Sequence, residues 1–363
     1  MHIAIDARII NSSTGRYIER LLYYLQDIDT TNQYSVLVRK KDIQFFFPRS
    51  SNFTVVEADF ADYSFAEQIG LLKLLNRLKP DLVHFCMPQQ PVLYGGTSVT
   101  TIHDLTLLKV YSSDKNWLIY HFKQLVGRAV FKTVVKKSAY LITDSKFSEN
   151  EIVRFSPRAK DKINAIHLAA DVSIGNLKPY KTPFKRFILY VGQQSDYKNI
   201  KRLGDAHQQL LKKYPDLGLI LVGRMNRSAQ MNEAYFTSKD YTHIHFTDFI
   251  EDEQRDWLYT HCEAYIFPSL MEGFGLPGLE AMGYGAPVVS SRETCLPEVY
   301  GDAAHYFDPY SVDDMTRAID DVLSNSELRR ELTKKGERQF KKYSWKRMAQ
   351  QTYDVYMKAL KES

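Results

Sequence analysis

Two glutamates, Glu272 and Glu280, bracket a glycine-rich turn, EGFGLPGLE, that leads into a proline-started helix. Pro277 suits the first helical position, because its φ is already helical and its missing N–H would have no partner there. The backbone of Gly273, Phe274, Gly275 and Leu276 can then turn free N–H groups toward an anion at the positive end of the helix. A carboxylate accepts hydrogen bonds from neighbouring hydroxyls. An anion site between two carboxylates therefore suits a phosphate ester that is also a polyol, such as a nucleotide sugar.

Three further places carry residues of the same use. In FILYVGQQSDYKNIKRL (187–203) an apolar run ends at Gly192, a polar turn holds Gln193 and Gln194, and Lys198 opens a helix. A lysine there offers a point charge to a phosphate. In SVTTIHDL (98–105) His103 directly follows a strand and could exchange a proton or hold a sugar hydroxyl. In NSSTGRY (11–17) Gly15 opens a helix after the first strand, where a glycine permits close backbone approach. The GxGxxG pattern of a dinucleotide site is missing.

These residues need elements to hold them. Short apolar runs at 3–7, 34–38, 53–56, 82–85, 98–102 and 140–143 alternate with helical stretches such as 17–26 and 67–78. The alternation restarts at 187–191, 217–222, 244–246, 264–267 and 287–290, and a helix is expected over 345–360. Such patterns predict two doubly wound parallel sheets, facing one another across a cleft, with ligands outside the carboxyl ends of the strands. The polar segment 176–183 reads as the linker. A chain of 363 residues is long enough for two cores.

Composition excludes several classes. Three scattered cysteines, Cys86, Cys262 and Cys295, give neither a disulfide scaffold nor a zinc site, and fit a reducing cytoplasm. No apolar run approaches a membrane span. The opening MHIAIDARII reads as a strand and not as a signal peptide. The net charge of +5 is mild, and no nucleic-acid signature is present. From Lys115 to Thr143 there is no acidic residue, and aromatics interleave with lysines and arginines. The first reading is a helix with a solvated basic face. The second is peripheral contact with anionic lipid through residues 115–137.

Taken in order, these segments resemble the family 4 glycosyltransferases. IDAR and TGRY, PDLVHF (80–85), TTIHDL (100–105), ITDSKFSENEI (142–152), YVGQQSDYKN (190–199), LVGR (221–224), EGFGLPGLEAMGYGAPVV (272–289) and LPEVYGDAAHYFDP (296–309) carry the likeness. The resemblance implies an α/β GT-B fold. An acceptor-binding domain would span 1–172 with a returning helix at 346–363, and a nucleotide-sugar domain 173–345. It implies a retaining transferase in which Glu280 holds ribose hydroxyls and Glu272, with the 273–276 backbone, contacts sugar and diphosphate. Lys198 would pair with the diphosphate, and His103 would lie by the anomeric centre. Gly15 would admit the donor phosphate, and Arg224 with Phe249 and Ile250 would frame the base. Many relatives carry arginine after the strand-end glycine, where this chain has Gln193. Arg16, Arg224 and Lys201 are the candidate substitutes.

The IDAR and TGRY start resembles mannosyltransferases of polysaccharide assembly, so GDP-mannose is the first donor expected and a UDP-hexose the second. The acceptor would be a saccharide or lipid-linked hydroxyl. No DxD-type site stands near the phosphate elements, so neither a cofactor nor an essential metal is expected. The competing readings are a phosphorylase or hydrolysing epimerase of the same fold, and a catalytically silent sugar-nucleotide-binding subunit.

Overall fold

The computed structural model describes residues 1–12, 14–62, 64–109 and 117–362. The chain forms two compact units, Met1–Leu168 with Ser344–Ser363, and Ala169–Tyr343. Each is built on one parallel sheet.

In the first unit the strands are β1 (His2–Asp6), β2 (Gln33–Val38), β3 (Phe53–Glu57), β4 (Leu82–Phe85), β5 (Ser98–Thr101), β6 (Tyr140–Thr143) and β7 (Ile163–Ala165). They lie in the order β3-β2-β1-β4-β5-β6-β7, all parallel. β1, β4, β5 and β6 are buried along almost their whole length, as strands covered on both faces must be. The helices are α1 (Gly15–Ile28), α2 (Leu72–Leu78), α3 (Thr106–Lys109), α4 (Trp117–Lys137) and α5 (Lys146–Phe155). Ser145 caps α5 by accepting from Ser148 N–H at 3.1 Å, so the helix starts directly after the strand-end Asp144. Residues 67–71 form a π-helical turn ahead of α2. Lys115 of the expected basic stretch lies outside the described residues.

In the second unit the strands are β8 (Arg186–Val191), β9 (Leu217–Val222), β10 (Ile244–Phe246), β11 (Ala264–Phe267), β12 (Val288–Ser291) and β13 (Ala304–Phe307). Their order is β10-β9-β8-β11-β12-β13, again all parallel. The helices are α6 (Ile200–Leu210), α7 (Arg227–Ser238), α8 (Asp252–His261), α9 (Leu276–Gly283), α10 (Leu296–Tyr300), α11 (Val312–Ser324) and α12 (Ser326–Phe340). The last helix, α13 (Trp345–Lys361), belongs to the first unit and packs on α1. Ser344 caps it, accepting from Arg347 N–H.

The expected linker at 176–183 is not one. The chain passes between units at Leu168 and Ala169, ahead of both that segment and the boundary at 172. Val172 fills the space beside Gly283, and Ser173 N–H donates to the Tyr284 hydroxyl at 3.0 Å. Lys178 then pairs with Glu251 at 2.6 Å, and its N–H donates to Glu253 O. These contacts bind the segment to the second unit. Strands β7 and β13, both short edge strands, were absent from the sequence pattern.

Candidate functional site

In both sheets the strand order reverses direction beside the first strand of the unit, between β1 and β4 and between β8 and β11. Loops leaving the carboxyl ends of such neighbours diverge and leave a crevice. In the second unit the loop after β8 carries Lys198 and the loop after β11 carries Glu272. The structure joins them: Lys198 Nζ lies 2.5 Å from Glu272 Oε1, and each side chain is 13% exposed. Burial alone would lower the lysine pKa, but the Glu272 carboxylate overrides it and the net direction is upward. Lys198 is therefore a fixed cation.

Asn199 sets this turn. It adopts a left-handed φ of 62°, and its side-chain amide donates to the carbonyls of Pro268 and Pro309 at 3.1 and 2.8 Å. The β8 loop is thus tied to the loops after β11 and β13. Asparagine tolerates this conformation better than most residues.

The glycine turn has a packing reason as well as a ligand reason. Gly275, at φ 95°, precedes α9, and no side chain caps the helix start. Leu276 is the first helical residue and Pro277 the second. The buried Tyr300 hydroxyl donates to Gly275 O at 2.5 Å. A Cβ on Gly275 would stand 2.6 Å from that hydroxyl, and one on Gly278 only 2.3 Å. The start of α9, with no side-chain cap, carries the positive field of a helix N-terminus. The Phe274 side chain is buried and meets Tyr343 edge to face at 5.5 Å. Glu280 is 6% exposed and accepts from the Tyr259 hydroxyl at 3.3 Å.

At the end of β9, Arg224 stands over the Phe249 ring at 5.2 Å. With Met225, Asn226 and Asp248 they line a cavity of about 530 Å³, and Ile250 follows Phe249 in the chain. Gly192 and Gly223 end adjacent strands, and a Cβ on Gly223 would stand 2.3 Å from Gly192 O. Gln193 is exposed, and its carbonyl accepts from the Tyr190 hydroxyl. The buried residue of this turn is Gln194, 1% exposed, whose amide nitrogen and oxygen both lack partners. Of the substitute cations, Lys201 lies 5.6 Å over Tyr235.

In the first unit His103 follows β5, and its Nδ1 meets both oxygens of Asp144, at 3.1 and 2.9 Å. Tyr17 lays a ring edge against it, with centroids 5.0 Å apart. Gly15 is glycine because of the chain's own turn. A Cβ there would stand 1.7 Å from Ile10 O, so packing alone requires glycine at this position. Asp144, Tyr17, Gln194 and Tyr300 were missed as site residues. Asp144 had the same signal as His103, a polar residue directly after an apolar strand. Tyr300 had none, since its role is set by packing across the unit. Among the described residues, no group of three or more His, Cys, Asp or Glu side chains is placed to hold a metal ion.

Comparison with known proteins gives the family and the fold. The sequence model "Glycosyl transferases group 1" matches residues 178–339, which hold Lys198, Glu272 and Glu280. The O-antigen chain mannosyltransferase B of Escherichia coli is 32% identical over 278 residues, covering 71% of this chain and 70% of that protein. The serotype-specific mannosyltransferase WbdA of Escherichia coli is 29% identical, and the match covers 73% of this chain but 34% of WbdA. Sucrose-phosphate synthase from Thermosynechococcus elongatus has the same fold, with a TM-score of 0.78 over 100% of both chains at 18% identity. The motifs at the strand ends, the two parallel-sheet units and these likenesses agree, and the chain belongs to the group 1 glycosyltransferases, the family 4 enzymes of GT-B fold.

Proposed function

We propose that this chain is a retaining mannosyltransferase, moving mannose from GDP-mannose to a saccharide or lipid-linked hydroxyl in polysaccharide synthesis. The observation that supports this best is the Lys198–Glu272 pair at the β8/β11 crevice, beside an α9 start that no side chain caps. A diphosphate entering there meets a cation already held in place and a helix dipole of the right sign. Lys198 would exchange Glu272 for the leaving diphosphate, which frees the Glu272 carboxylate for sugar hydroxyls. Glu280 would hold the ribose, and the Arg224–Phe249 cavity the base. His103 would act near the anomeric carbon. Without an enzymic nucleophile, attack from the departing face through an oxocarbenium-like state gives retention. No metal enters this scheme. The choice of mannose draws on the two Escherichia coli relatives, both mannosyltransferases.

A thermal-shift panel with GDP, UDP and ADP tests the reading. A ligand at 100 times its Kd stabilises by about 2.7 kcal/mol, and GDP is expected to move the midpoint most. UDP moving it most would replace the donor with a UDP-hexose. No shift with any of the three would remove the nucleotide-sugar reading.

A further inference from the structure

His103 is held by groups from several elements of the first unit. Asp144, after β6, takes Nδ1 with both carboxylate oxygens. Tyr17 of α1 sets the ring plane, at 84° to its own. The Tyr17 hydroxyl bonds Thr101 Oγ1 at 2.9 Å, and the same oxygen bonds His84 Nε2 at 2.8 Å. His84 Nδ1 in turn bonds the Tyr356 hydroxyl of α13 at 2.6 Å. A continuous series of hydrogen bonds thus leads from the helix beside His103 to the helix that closes the chain. At the other end of the His103 ring, Nε2 is buried and meets no partner at full hydrogen-bond geometry, the Cys86 carbonyl being a weaker contact of the ring.

We propose that Asp144 is a positioning residue, which clamps Nδ1 of His103 so that Nε2–H is presented to an oxygen of the sugar substrate, while Tyr17 fixes the plane of the same ring. The proposal rests on the glycosyltransferase reading above. A carboxylate on Nδ1 decides which nitrogen carries the working proton, and favours the doubly protonated ring. A buried N–H with no more than a weak carbonyl contact gains a full hydrogen bond when a substrate hydroxyl or ring oxygen arrives.

The charges around the ring agree. Burial would lower the His103 pKa, but Asp144, then Asp104 and the Cys86 carbonyl, raise it above the ordinary histidine value. Burial, with Asp104, pushes the Asp144 carboxyl up by more than His103 and His167 pull it down. Burial pushes the Tyr17 hydroxyl and the Cys86 thiol well up, so both stay neutral. Burial and His103 push His84 down to about 3, so it also stays neutral. His103 is therefore the ring of this group that carries charge.

The test uses the full chain with carbon-13 histidine, and H103Q to assign the His103 signal. In D144N the His103 titration is expected to fall by about one pH unit, a tenfold change in its proton affinity. Turnover is expected to fall about a hundredfold, as for a misplaced catalytic group, with the donor KM within twofold. D144E keeps the charge and moves it, so His103 should still titrate high while kcat falls. The double variant H103Q/D144N should be no slower than H103Q, because Asp144 acts only through the ring. An unshifted His103 titration in both D144N and D144E, or losses that multiply in the double variant, would overturn the clamp. The titration needs no turnover, so the clamp can stand even if the wild-type chain shows no transfer and the enzymic reading falls.

Discussion

Lys198→Met separates what the Lys198–Glu272 pair does for stability from what it does for a ligand. The pair joins the β8 and β11 loops at 2.5 Å, with each side chain 13% exposed. Removing one partner of a buried pair costs about 3–5 kcal/mol, since the other charge is left without compensation. The residual exposure here points to the lower end, about 3 kcal/mol. The second unit has about 175 residues, Ala169–Tyr343. For that size each kcal/mol moves Tm by about 2–4 °C, so the variant should melt about 6–12 °C lower. Lys198→Met with Glu272→Gln should recover most of the loss, because replacing both charges leaves no orphan. Neither variant should show a GDP-dependent rise in Tm, nor transfer sugar. Scanning calorimetry with and without GDP reads the melting, and a sugar-transfer assay reads the activity. If Lys198→Met melts within a degree of wild type, or if the double variant loses the sum of both single losses, the two charges are not coupled and the account of the site is wrong.

Gly278→Ala puts a methyl 2.3 Å from the buried Tyr300 hydroxyl, an overpacking cost of about 1–3 kcal/mol. Tyr300→Phe in that background should return none of it, because the ring carbon Cζ would still stand 2.4 Å from the methyl and the hydrogen bond to Gly275 O would be lost, and a urea midpoint that recovers in the double variant would contradict this. His84 gives a pH dependence: the unfolded ring takes a proton near 6.5, whereas the folded ring refuses it until about 3. Its contribution is complete above pH 6.5 and falls away as pH drops toward 3, by about 2 kcal/mol at pH 5. Urea unfolding at pH 7 and pH 5 should show a loss at least that large, and His84→Gln should shrink it without abolishing it, since buried His207, pushed down to about 4, titrates over the same span. Leu125 and Val126 are exposed on α4, and anionic vesicles should co-sediment the chain in a manner that salt weakens. Sedimentation indifferent to lipid charge would remove the membrane reading of residues 115–137.

Most strands were readable because a strand buried on both faces is a short apolar run, and a parallel sheet repeats such runs. LGLILV at 217–222 is unambiguous for that reason. β7 and β13 were not readable. INA is three residues with a polar centre, and AHYF sits on an edge where a half-exposed histidine and tyrosine are tolerated. The candidate residues that follow strands, His103 and Lys198, were readable as candidates from position alone. The partners of these residues were not. Asp144 lies 41 residues from His103 and Glu272 lies 74 from Lys198. Such pairings follow from strand order, β5 beside β6 and β8 beside β11, which no local pattern encodes.

The two pairings share a logic. In each unit one charged group at a strand's carboxyl end is held by an opposite charge from the neighbouring strand's loop. Buried charges need such partners, because an isolated ion would give up its charge sooner than remain desolvated. A cation kept ready for a phosphate, or an imidazolium for a sugar oxygen, must therefore be stored against a carboxylate until the ligand arrives. On the proposed function, Glu272 would have a use before the donor binds as well as with a bound sugar. That predicts an asymmetry between the glutamates of the motif. Glu272→Gln should lower the affinity for a nucleotide sugar while strengthening that for a bare nucleoside diphosphate, which no longer competes with a carboxylate for Lys198. Glu280→Gln, which leaves the cation's partner in place, should weaken both. Titration calorimetry with GDP and GDP-mannose on the two variants would decide it, and equal losses for both ligands in Glu272→Gln would refute the stored-cation account.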